Sequence, residues 1–410
     1  MNIEAQPIRE LAVQEITTKT DTRDILAHAT KSIRDKRLDG WTLIDVDAHH
    51  SEMSSWSEIV EYLDDPIMLH HAREFRSRTG GAPGLSNHMP GIRYQDVGGR
   101  IRHQQKLDEP VDDQSVHRDV TLVRRSIEAL GMDYQVLFPG NMLALGTHPQ
   151  PRVEAQLAVA YNRWLCDKVL DQDDRIKSLL YLPLGEPDTC LRIIEEFAGR
   201  KGVLGFMVTS VRFAPVHHNC YIPIYRALEE RELPIAFHAG PHWADEYTKQ
   251  LDVFMSMHAI SFVLCNMVHI TNWIVHGIPE RFPKLKPIWI ESGLAWIPFM
   301  MQRLDNSYMM RPSEAPLLKK MPSDYMREMF YTGQPMEVSN MALTEAALKA
   351  INADTQLLYA SDWPHWDFNP PSMIYDLPFL TEQGKRNILG ETAARLFKIP
   401  LKPRTAAVGA

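Results

Sequence analysis

Residues 41–52 read Trp-Thr-Leu-Ile-Asp-Val-Asp-Ala-His-His-Ser-Glu, an alternating apolar stretch that runs into a group of polar side chains. The alternation predicts a β-strand over residues 41–47, and the polar run 48–52 then falls just after that strand. Functional side chains of α/β folds gather at the carboxyl ends of parallel strands. This stretch therefore predicts the first strand of a parallel sheet, with candidate functional residues at its end.

Further strands follow, each separated from the next by a predicted helix or loop. Apolar runs bounded by turn residues predict strands at 135–138, 178–182, 205–209, 233–240, 286–291, 330–332 and 357–362. Periodic segments predict helices at 123–130, 153–170, 190–198, 221–231, 253–276, 297–308 and 342–352. This alternation predicts an α/β fold, a distorted (β/α)8 TIM barrel. An open doubly wound sheet is the alternative, but no Gly-rich phosphate loop follows the first strand.

The same pattern divides the 410 residues into an arm, a barrel and a tail. Residues 1–40 carry one predicted helix, around 24–37, and are expected to form an N-terminal arm. The barrel is expected over residues 41–400, followed by a C-terminal tail at 401–410. Residues 53–118, after the first strand, show an irregular, loop-rich pattern. An insertion of that length predicts a lid over the functional site.

The composition narrows the class of partner. The chain of 47.0 kDa is 44% hydrophobic and 23% charged, as globular proteins are. A net charge of −8 without a basic stripe argues against nucleic acid as a partner. No uninterrupted apolar run reaches about 18 residues, and the N-terminus lacks a basic-then-apolar signal pattern. We therefore expect a cytoplasmic protein without a membrane span, acting on small molecules.

Side chains that can bind a metal ion stand at the ends of several predicted strands. They are Asp47, His49 and Glu52 on the first strand, then His238, Glu291 and Asp362 on later ones. Residues two apart on a strand point the same way, so Asp47 and His49 can share one cation. Imidazoles and carboxylates together suit Zn²⁺, Mn²⁺ or Fe²⁺. Structural alternatives are a core histidine at His238, a turn cap at Asp362 and a helix N-cap at Glu291, but the joint placement favours a metal site.

Short stretches, in order along the chain, carry a resemblance to a known family. They are Asp47-Ala-His-His-Ser-Glu52, Met132-Asp-Tyr-Gln-Val-Leu-Phe-Pro139, Leu233-Pro-Ile-Ala-Phe-His238, Glu280-Arg-Phe-Pro-Lys-Leu285, Glu291-Ser-Gly-Leu-Ala-Trp296 with Arg303-Leu-Asp305, Tyr359-Ala-Ser-Asp-Trp-Pro-His365, and Asn387-Ile-Leu-Gly390 with Ala393-Ala-Arg-Leu-Phe397. With these stretches the chain resembles the amidohydrolase-related (amidohydrolase 2 type) family of metal-dependent TIM barrels. That family includes aminocarboxymuconate-semialdehyde decarboxylase and the hydroxybenzoate-type decarboxylases.

The resemblance implies roles for individual residues. His238 is similar in position to the family's fifth-strand ligand, and Asp362 to its last-strand ligand and proton-transfer group, so both are expected to be catalytic. The family's first strand carries H-x-H or E-x-H, and the pair Asp47 and His49 keeps that spacing with a shorter carboxylate. Glu291 and His269 extend the ligand set. His269 lies in a segment that is predicted to be helical, so packing is its alternative role.

The expected ligand set therefore has seven donors: Asp47, His49, Glu52, His238, His269, Glu291 and Asp362. Seven donors suit two ions bridged by carboxylates, and some members resembling this type are O₂-activating hydroxylases with iron or manganese–iron centres. We first expect such a dinuclear Fe or Mn/Fe hydroxylase, supplied by an external electron-transfer protein. The alternative is one Zn or Mn ion in a nonoxidative decarboxylase or hydrolase. A third alternative is a noncatalytic chain that supports a related active subunit.

Histidine and tryptophan side chains near the donors are expected to contact substrate or to support the ligands. They are His50, His242, Trp243, Trp363 and His365. The substrate is expected to be a small organic molecule that carries a carboxylate. The arm and the family resemblance predict a homo-oligomer, or a hetero-oligomer with a related subunit.

Overall fold

One sheet of parallel strands organises the chain. The computed structural model describes residues 22–79, 111–210, 214–240, 247–251, 254–365 and 367–401. Within them, eight strands follow one another around the sheet in chain order, each parallel to the next. They are β1 Ile44–His50, β2 Tyr134–Pro139, β3 Ile176–Tyr181, β4 Val203–Thr209, β5 Ile235–His238, β6 Pro287–Ile290, β7 Phe330–Thr332 and β8 Leu357–Leu358. The prediction of an α/β (β/α)8 TIM barrel is confirmed.

Helices connect the strands, as parallel pairing requires. They are α1 Thr22–Asp35, α2 Trp56–Ile59, α3 Pro66–Thr79, α4 Arg118–Ala129, α5 Pro151–Lys168, α6 Pro187–Phe197, α7 Ile222–Glu230, α8 Phe254–Val275, α9 Ile278–Arg281, α10 Trp296–Met310, α11 Pro322–Met326, α12 Met341–Ala350, α13 Ala353–Gln356, α14 Ser372–Tyr375, α15 Glu382–Arg386 and α16 Thr392–Phe397. Every residue of β1, β5 and β6 is buried, as in sheets covered by helices. The stacked rings of Phe237 and Trp289, 4.5 Å apart, belong to this core.

The barrel closes where the chain after β8 runs along β1. Val46 N donates to Tyr359 O at 2.9 Å, Asp362 N donates to Asp47 O at 2.8 Å, and His49 N donates to Trp363 O at 2.7 Å. Only Leu357 and Leu358 have regular strand geometry, which is why β8 is shorter than the predicted strand 357–362. The closure places the residues around Asp47 beside those around Asp362.

A buried carboxylate, Asp45, reinforces this closure. It accepts hydrogen bonds from Ser361 N at 2.8 Å, Ser361 Oγ at 2.6 Å and Gln135 Nε2 at 2.9 Å. Burial raises the pKa of Asp45 to about 7, because these hydrogen bonds offset only part of the cost of desolvation. Asp45 therefore connects β1 to β2 and to the segment that follows β8.

The peripheral segments agree only in part with the sequence analysis. Helix α1 corresponds to the helix predicted in the arm, and it packs on the barrel: Ile33 is buried and Thr30 Oγ1 donates to Ala129 O at 2.7 Å. Residues 53–79, predicted as irregular, form α2, α3 and short 3₁₀ turns. Residues 80–110, which make up most of the proposed lid, lie outside the described residues, as do 1–21 and 402–410. The lid and the domain limits stay predictions.

Helix α8 differs from what the sequence analysis expected. Over Met255–Val275 it is long and apolar enough to cross a membrane by length and composition. The count of uninterrupted apolar residues missed it because Ser, Asn, His and Thr interrupt the helix, whereas no charged residue does. Its residues Ile270, Trp273 and Ile274 lie in the barrel core. Since core helices meet the same criteria, this feature is weak evidence for a membrane span.

Gly390 tests the packing behind the closure. It lies in the π-helical segment Asn387–Glu391, and a Cβ there would collide with backbone O of Thr42 and lie 2.8 Å from its carbonyl carbon. We expect Gly390→Ala to lower the free energy of unfolding by about 1–3 kcal/mol, because backbone cannot move aside as a side chain can. Urea denaturation measures the change.

Gly240→Ala is the matched control, since no atom of the described residues lies within 4 Å of a Cβ at Gly240. We expect its unfolding free energy to stay within about 0.5 kcal/mol of the unsubstituted protein. Equal stabilities for the two variants would show that Gly390 is not sterically required.

Candidate metal centre

Asp47 and His49 lie on the same face of β1, and both side chains are almost completely buried. His49 Nδ1 lies 3.0 Å from Pro139 O, and because a carbonyl only accepts, Nδ1 carries the proton. The lone pair is then on Nε2, which lies 3.3 Å from Asp47 Oδ1. Two acceptors this close are satisfied in one of two ways: by a second proton on His49, whose pKa the nearby Asp362 and Asp47 raise well above its ordinary value against the effect of burial, or by a metal cation between them.

His238, at the end of β5, repeats the arrangement. Its Nδ1 donates to Ala239 O at 2.7 Å, which leaves the lone pair on Nε2, 3.3 Å from Asp47 Oδ1. Burial favours the neutral form of Asp47, but the nearby His238 and His49 outweigh burial and lower the pKa of Asp47. Asp47 therefore presents an ionised oxygen to both imidazoles.

Asp362 completes the group from the segment after β8. Its Oδ1 lies 3.0 Å from His49 Nε2 and 2.6 Å from His365 Nδ1. Its backbone has a φ of 58°, a left-handed conformation that is costly outside glycine. Burial opposes ionisation, but His365 and His49 outweigh it and hold the pKa of Asp362 well below its usual range. Asp362 is not a simple turn cap, since its carboxylate points at the other donors.

Several buried polar atoms in this group have no hydrogen-bond partner among the residues that the structure describes. They are Asp47 Oδ2, His49 Nε2, Glu291 Oε2 and Asp362 Oδ2. Leaving such atoms unsatisfied in a protein interior is costly, and a bound divalent cation satisfies carboxylate oxygens and imidazole lone pairs together. The residues present therefore fit a divalent metal ion.

The donors form two overlapping sets that share one atom. Asp47, His49 and His238 form one set, and His49, Asp362 and His365 form the other, with the donor atoms of each set within 4.8 Å of one another. His49 Nε2 has a single lone pair, so it binds one ion only. Among the described residues, this geometry suits one ion better than two.

Glu291 lies beside the donors without belonging to either set. Its Oε2 is 3.4 Å from His238 Nδ1, the ring atom that already donates to a carbonyl. Burial, with Asp362 and Asp47 nearby, raises the pKa of Glu291 well above its ordinary value. Its alternative role as an N-cap is wrong, because Glu337 accepts from the N–H groups of Leu294 and Ala295 at the start of α10.

Glu52 and His269, both predicted as ligands, lie outside both donor sets, and both carboxylate oxygens of Glu52 and Nε2 of His269 are bonded to the backbone. Glu52 accepts from Gly140 N at 2.9 Å and from Met142 N at 2.6 Å, so it joins the loops that follow β1 and β2. His269, on α8, donates from Nε2 to Ser210 O at 2.6 Å. Its packing alternative fits the structure better than a ligand role.

The remaining predicted residues separate into two groups. His50 points away from the donors, because neighbouring residues of a strand face opposite sides. Its ring nitrogens bond to Asp119 Oδ2 and Tyr161 Oη, both at 2.8 Å. Trp363 and His365 lie next to Asp362, where His365 stacks on His49 with ring centroids 4.2 Å apart. His242 and Trp243 lie outside the described residues.

Sequence reasoning missed Asp45 and Ser361, which hold the two ligand-bearing segments together. A signal was present in the sequence: Asp45 stands inside an apolar strand, where a carboxylate is expensive to bury without a partner. Its partner was not readable, because Ser361 is 316 residues away.

With the fold and donors established, the chain can be placed in a family. A sequence profile of the amidohydrolase family (Amidohydro_2) matches residues 116–399, and the chain belongs to this family. It is a metal-dependent enzyme of the amidohydrolase superfamily.

The individual relatives share about a fifth of their residues with this chain or fewer. The γ-resorcylate decarboxylase of Rhodococcus jostii (strain RHA1) is 21% identical over 272 residues, which are 63% of this chain and 82% of that protein. The structure of 5-carboxyvanillate decarboxylase from Sphingomonas paucimobilis has a TM-score of 0.63 at 21% identity, covering 88% of this chain and 100% of that one. A dihydroxybenzoic acid decarboxylase from Polaromonas sp. JS666, solved with manganese and 2-nitroresorcinol, has a TM-score of 0.61 at 16% identity and covers 87% and 97%.

These comparisons favour the alternative function over the one expected first. The relatives are named as decarboxylases, and none of the three is described as a hydroxylase. O₂-dependent hydroxylation at a dinuclear iron centre is therefore not supported. An electron-transfer partner and an oligomeric assembly stay predictions.

Replacing Glu52 and His49 separates a ligand from a structural carboxylate. We expect His49→Ala to lose most of the bound metal, whereas Glu52→Ala keeps it and loses about 2–3 kcal/mol of stability, because two backbone N–H groups lose their acceptor. Elemental analysis measures the bound metal, and urea denaturation measures the stability. Loss of metal from Glu52→Ala with unchanged stability would return Glu52 to the ligand set.

Glu154 gives the fold a pH dependence of its own. Its Oε1 accepts from Tyr181 Oη at 2.8 Å, and burial raises its pKa from 4.5 to about 7. The folded state holds the proton of Glu154 more tightly than the unfolded state does. Protonation of Glu154 therefore stabilises the fold fully below pH 4.5, and this stabilisation is lost as the pH rises to about 7. The loss amounts to about 3 kcal/mol at most.

We expect Glu154→Gln to flatten the stability curve across that pH window in urea titrations. Glu195→Gln, which changes an exposed carboxyl group, is the control and leaves the curve unchanged. If stability depended on pH in the same way in Glu154→Gln and in the unsubstituted protein, Glu154 would not be the source of this pH dependence.

Proposed function

We propose that this chain is a mononuclear metal-dependent decarboxylase that removes CO₂ from a small aromatic carboxylate without oxidation. The observation that carries the proposal is the group of Asp47, His49, His238 and Asp362, in which neighbouring donor atoms lie 3.0–3.3 Å apart. The names of the relatives supply the substrate class: resorcylate, carboxyvanillate and dihydroxybenzoate are all hydroxylated benzoates. Mn²⁺ is the favoured ion because manganese is present in the dihydroxybenzoic acid decarboxylase structure, with Zn²⁺ as the alternative.

The four proposed ligands would hold the ion through two carboxylates and two imidazoles. Bound there, the ion supplies a Lewis acid that orients and polarises the substrate's oxygen atoms. The hydrogen bonds from His49 Nδ1 to Pro139 O and from His238 Nδ1 to Ala239 O fix both rings. Such contacts keep each Nε2 lone pair pointed at the centre.

Asp362 is the group that we propose moves the proton. Loss of CO₂ leaves electrons on a ring carbon, and a proton must replace the carboxylate there to give the arene. The ionised Asp362 can take the proton of a substrate hydroxyl group and deliver it to that carbon, and the phenolate that remains then takes one proton from water, which completes the balance. Its Oδ2, buried and without a hydrogen-bond partner in the described part of the chain, is the atom that we assign to this step.

The surroundings of the donors include an apolar ring and favour one ion over two. Phe138, fully buried at the end of β2, packs against His238 with ring centroids 4.9 Å apart and lies 6.2 Å from the ring of His49. A two-ion site would need further donors, but the carboxylate oxygens of Glu52 and Nε2 of His269 already bond to the backbone. The third expectation, a noncatalytic chain, would predict missing donors, and these four are present.

The proposal is tested with protein loaded with Mn²⁺ and incubated with 2,6-dihydroxybenzoate or 5-carboxyvanillate under argon. We expect release of CO₂ and the matching arene, at the same rate in air, with one metal ion per chain by elemental analysis. Consumption of O₂ with a hydroxylated product and two iron ions per chain would overturn the proposal.

Asp362→Asn tests the proton-transfer role in the same assay. We expect kcat to fall at least about 100-fold, because the amide cannot accept and return a proton. Asp39→Asn, which changes an exposed carboxylate ahead of β1, is the control and keeps full activity. Retained turnover in Asp362→Asn would remove Asp362 from the chemical step.

A further inference from the structure

His365 covers the side of Asp362 that faces solvent. The side chain of Asp362 has no exposed surface, whereas that of His365 is 31% exposed. His365 Nδ1 lies 2.6 Å from Asp362 Oδ1, and His365 N donates to Asp362 O at 2.7 Å. The same imidazole stacks on His49, with ring planes 28° apart. One residue thus contacts both a proposed ligand and the proposed proton carrier.

The geometry favours a hydrogen bond over direct metal binding by His365. A nitrogen that donates to a carboxylate at 2.6 Å carries a proton and has no lone pair for a metal. Its ring stacks on that of His49, with centroids 4.2 Å apart and planes 28° apart, so the stacking holds this nitrogen beside Asp362. The hydrogen bond occupies Oδ1 of Asp362, whereas Oδ2 accepts no hydrogen bond from any described residue.

We infer that His365 is a positioning residue: its Nδ1–H fixes the rotation of the Asp362 carboxylate, so that Oδ1 stays with His49 and Oδ2 faces the reacting molecule. The effect of His365 on metal binding is inferred from the donor geometry alone. Its effect on kcat rests on the proposed function. The left-handed backbone at Asp362 adds to the need for such a contact, because that conformation is held only where the surroundings enforce it.

Two substitutions separate the hydrogen bond from the ring. His365→Phe keeps a ring to stack on His49 and removes the N–H, whereas His365→Asn keeps an N–H near the position of Nδ1 and removes the ring. The metal-free protein is titrated with Mn²⁺ against a competing chelator, and the absorption spectrum of the Co²⁺ form is recorded. His70→Phe, on the exposed surface of α3, is the control for the same chemical change.

We expect His365→Phe to weaken Mn²⁺ binding about 10–100-fold and to alter the Co²⁺ spectrum, as loss of a group that orients a ligand does. His365→Asn should stay within about threefold of the unsubstituted protein, within the range of a surface change. Unchanged binding in His365→Phe, or equal losses in both variants, would overturn the inference. Thermal unfolding of both variants shows whether either loss arises from misfolding.

Kinetics then separates this inference from the proposed function. If the chain is a decarboxylase, His365→Phe lowers kcat more than it changes KM, and His365→Asn restores most of kcat. If no decarboxylation is found in the unsubstituted protein, the proposed function fails, while the Mn²⁺ affinities of the variants still decide the role of His365.

Discussion

The pairing of β1 with the segment after β8 is the interaction on which the site depends. Three backbone hydrogen bonds and the buried Asp45 hold residues 45–49 beside residues 359–363. Asp47 and His49 belong to the first segment and Asp362 to the second, so the bonds that close the barrel also set the distances between donors. A shift of one residue in this pairing would turn the β1 donors to the other face of the sheet.

The chemistry of the centre follows from which ring nitrogen carries the proton. Pro139 and Ala239 accept from Nδ1 of His49 and His238, and both Nε2 lone pairs are thereby directed at Asp47. Acceptor then faces acceptor, an arrangement that is repulsive in an empty protein interior and favourable around a cation. Binding of an ion and folding of the barrel mouth are therefore thermodynamically linked.

Much of this could be read from the sequence, for physical reasons that also explain the failures. Alternation located the strands, and placement at strand ends located Asp47, His49, His238 and Asp362, which the structure brings together. The same alternation should have excluded His50, since it follows His49 directly and must face the other way.

The role of Glu52 could not be predicted from its residue type, because a carboxylate binds a metal or a pair of backbone N–H groups equally well. The loop after β2 supplies those N–H groups, and its position could not be read from the sequence. The number of donors in a sequence is therefore an upper limit on the number that reach an ion. Reading seven donors as two ions overlooked this limit.

The closure also has a consequence for the order in which the protein is made. Asp47 and His49 are synthesised early, His238 later, and Asp362 only after most of the chain, yet all four converge on one point. A nascent chain that ends before residue 362 carries at most an incomplete set of donors. The complete set of four donors therefore exists only once Asp362 has been synthesised and the segment after β8 has paired with β1.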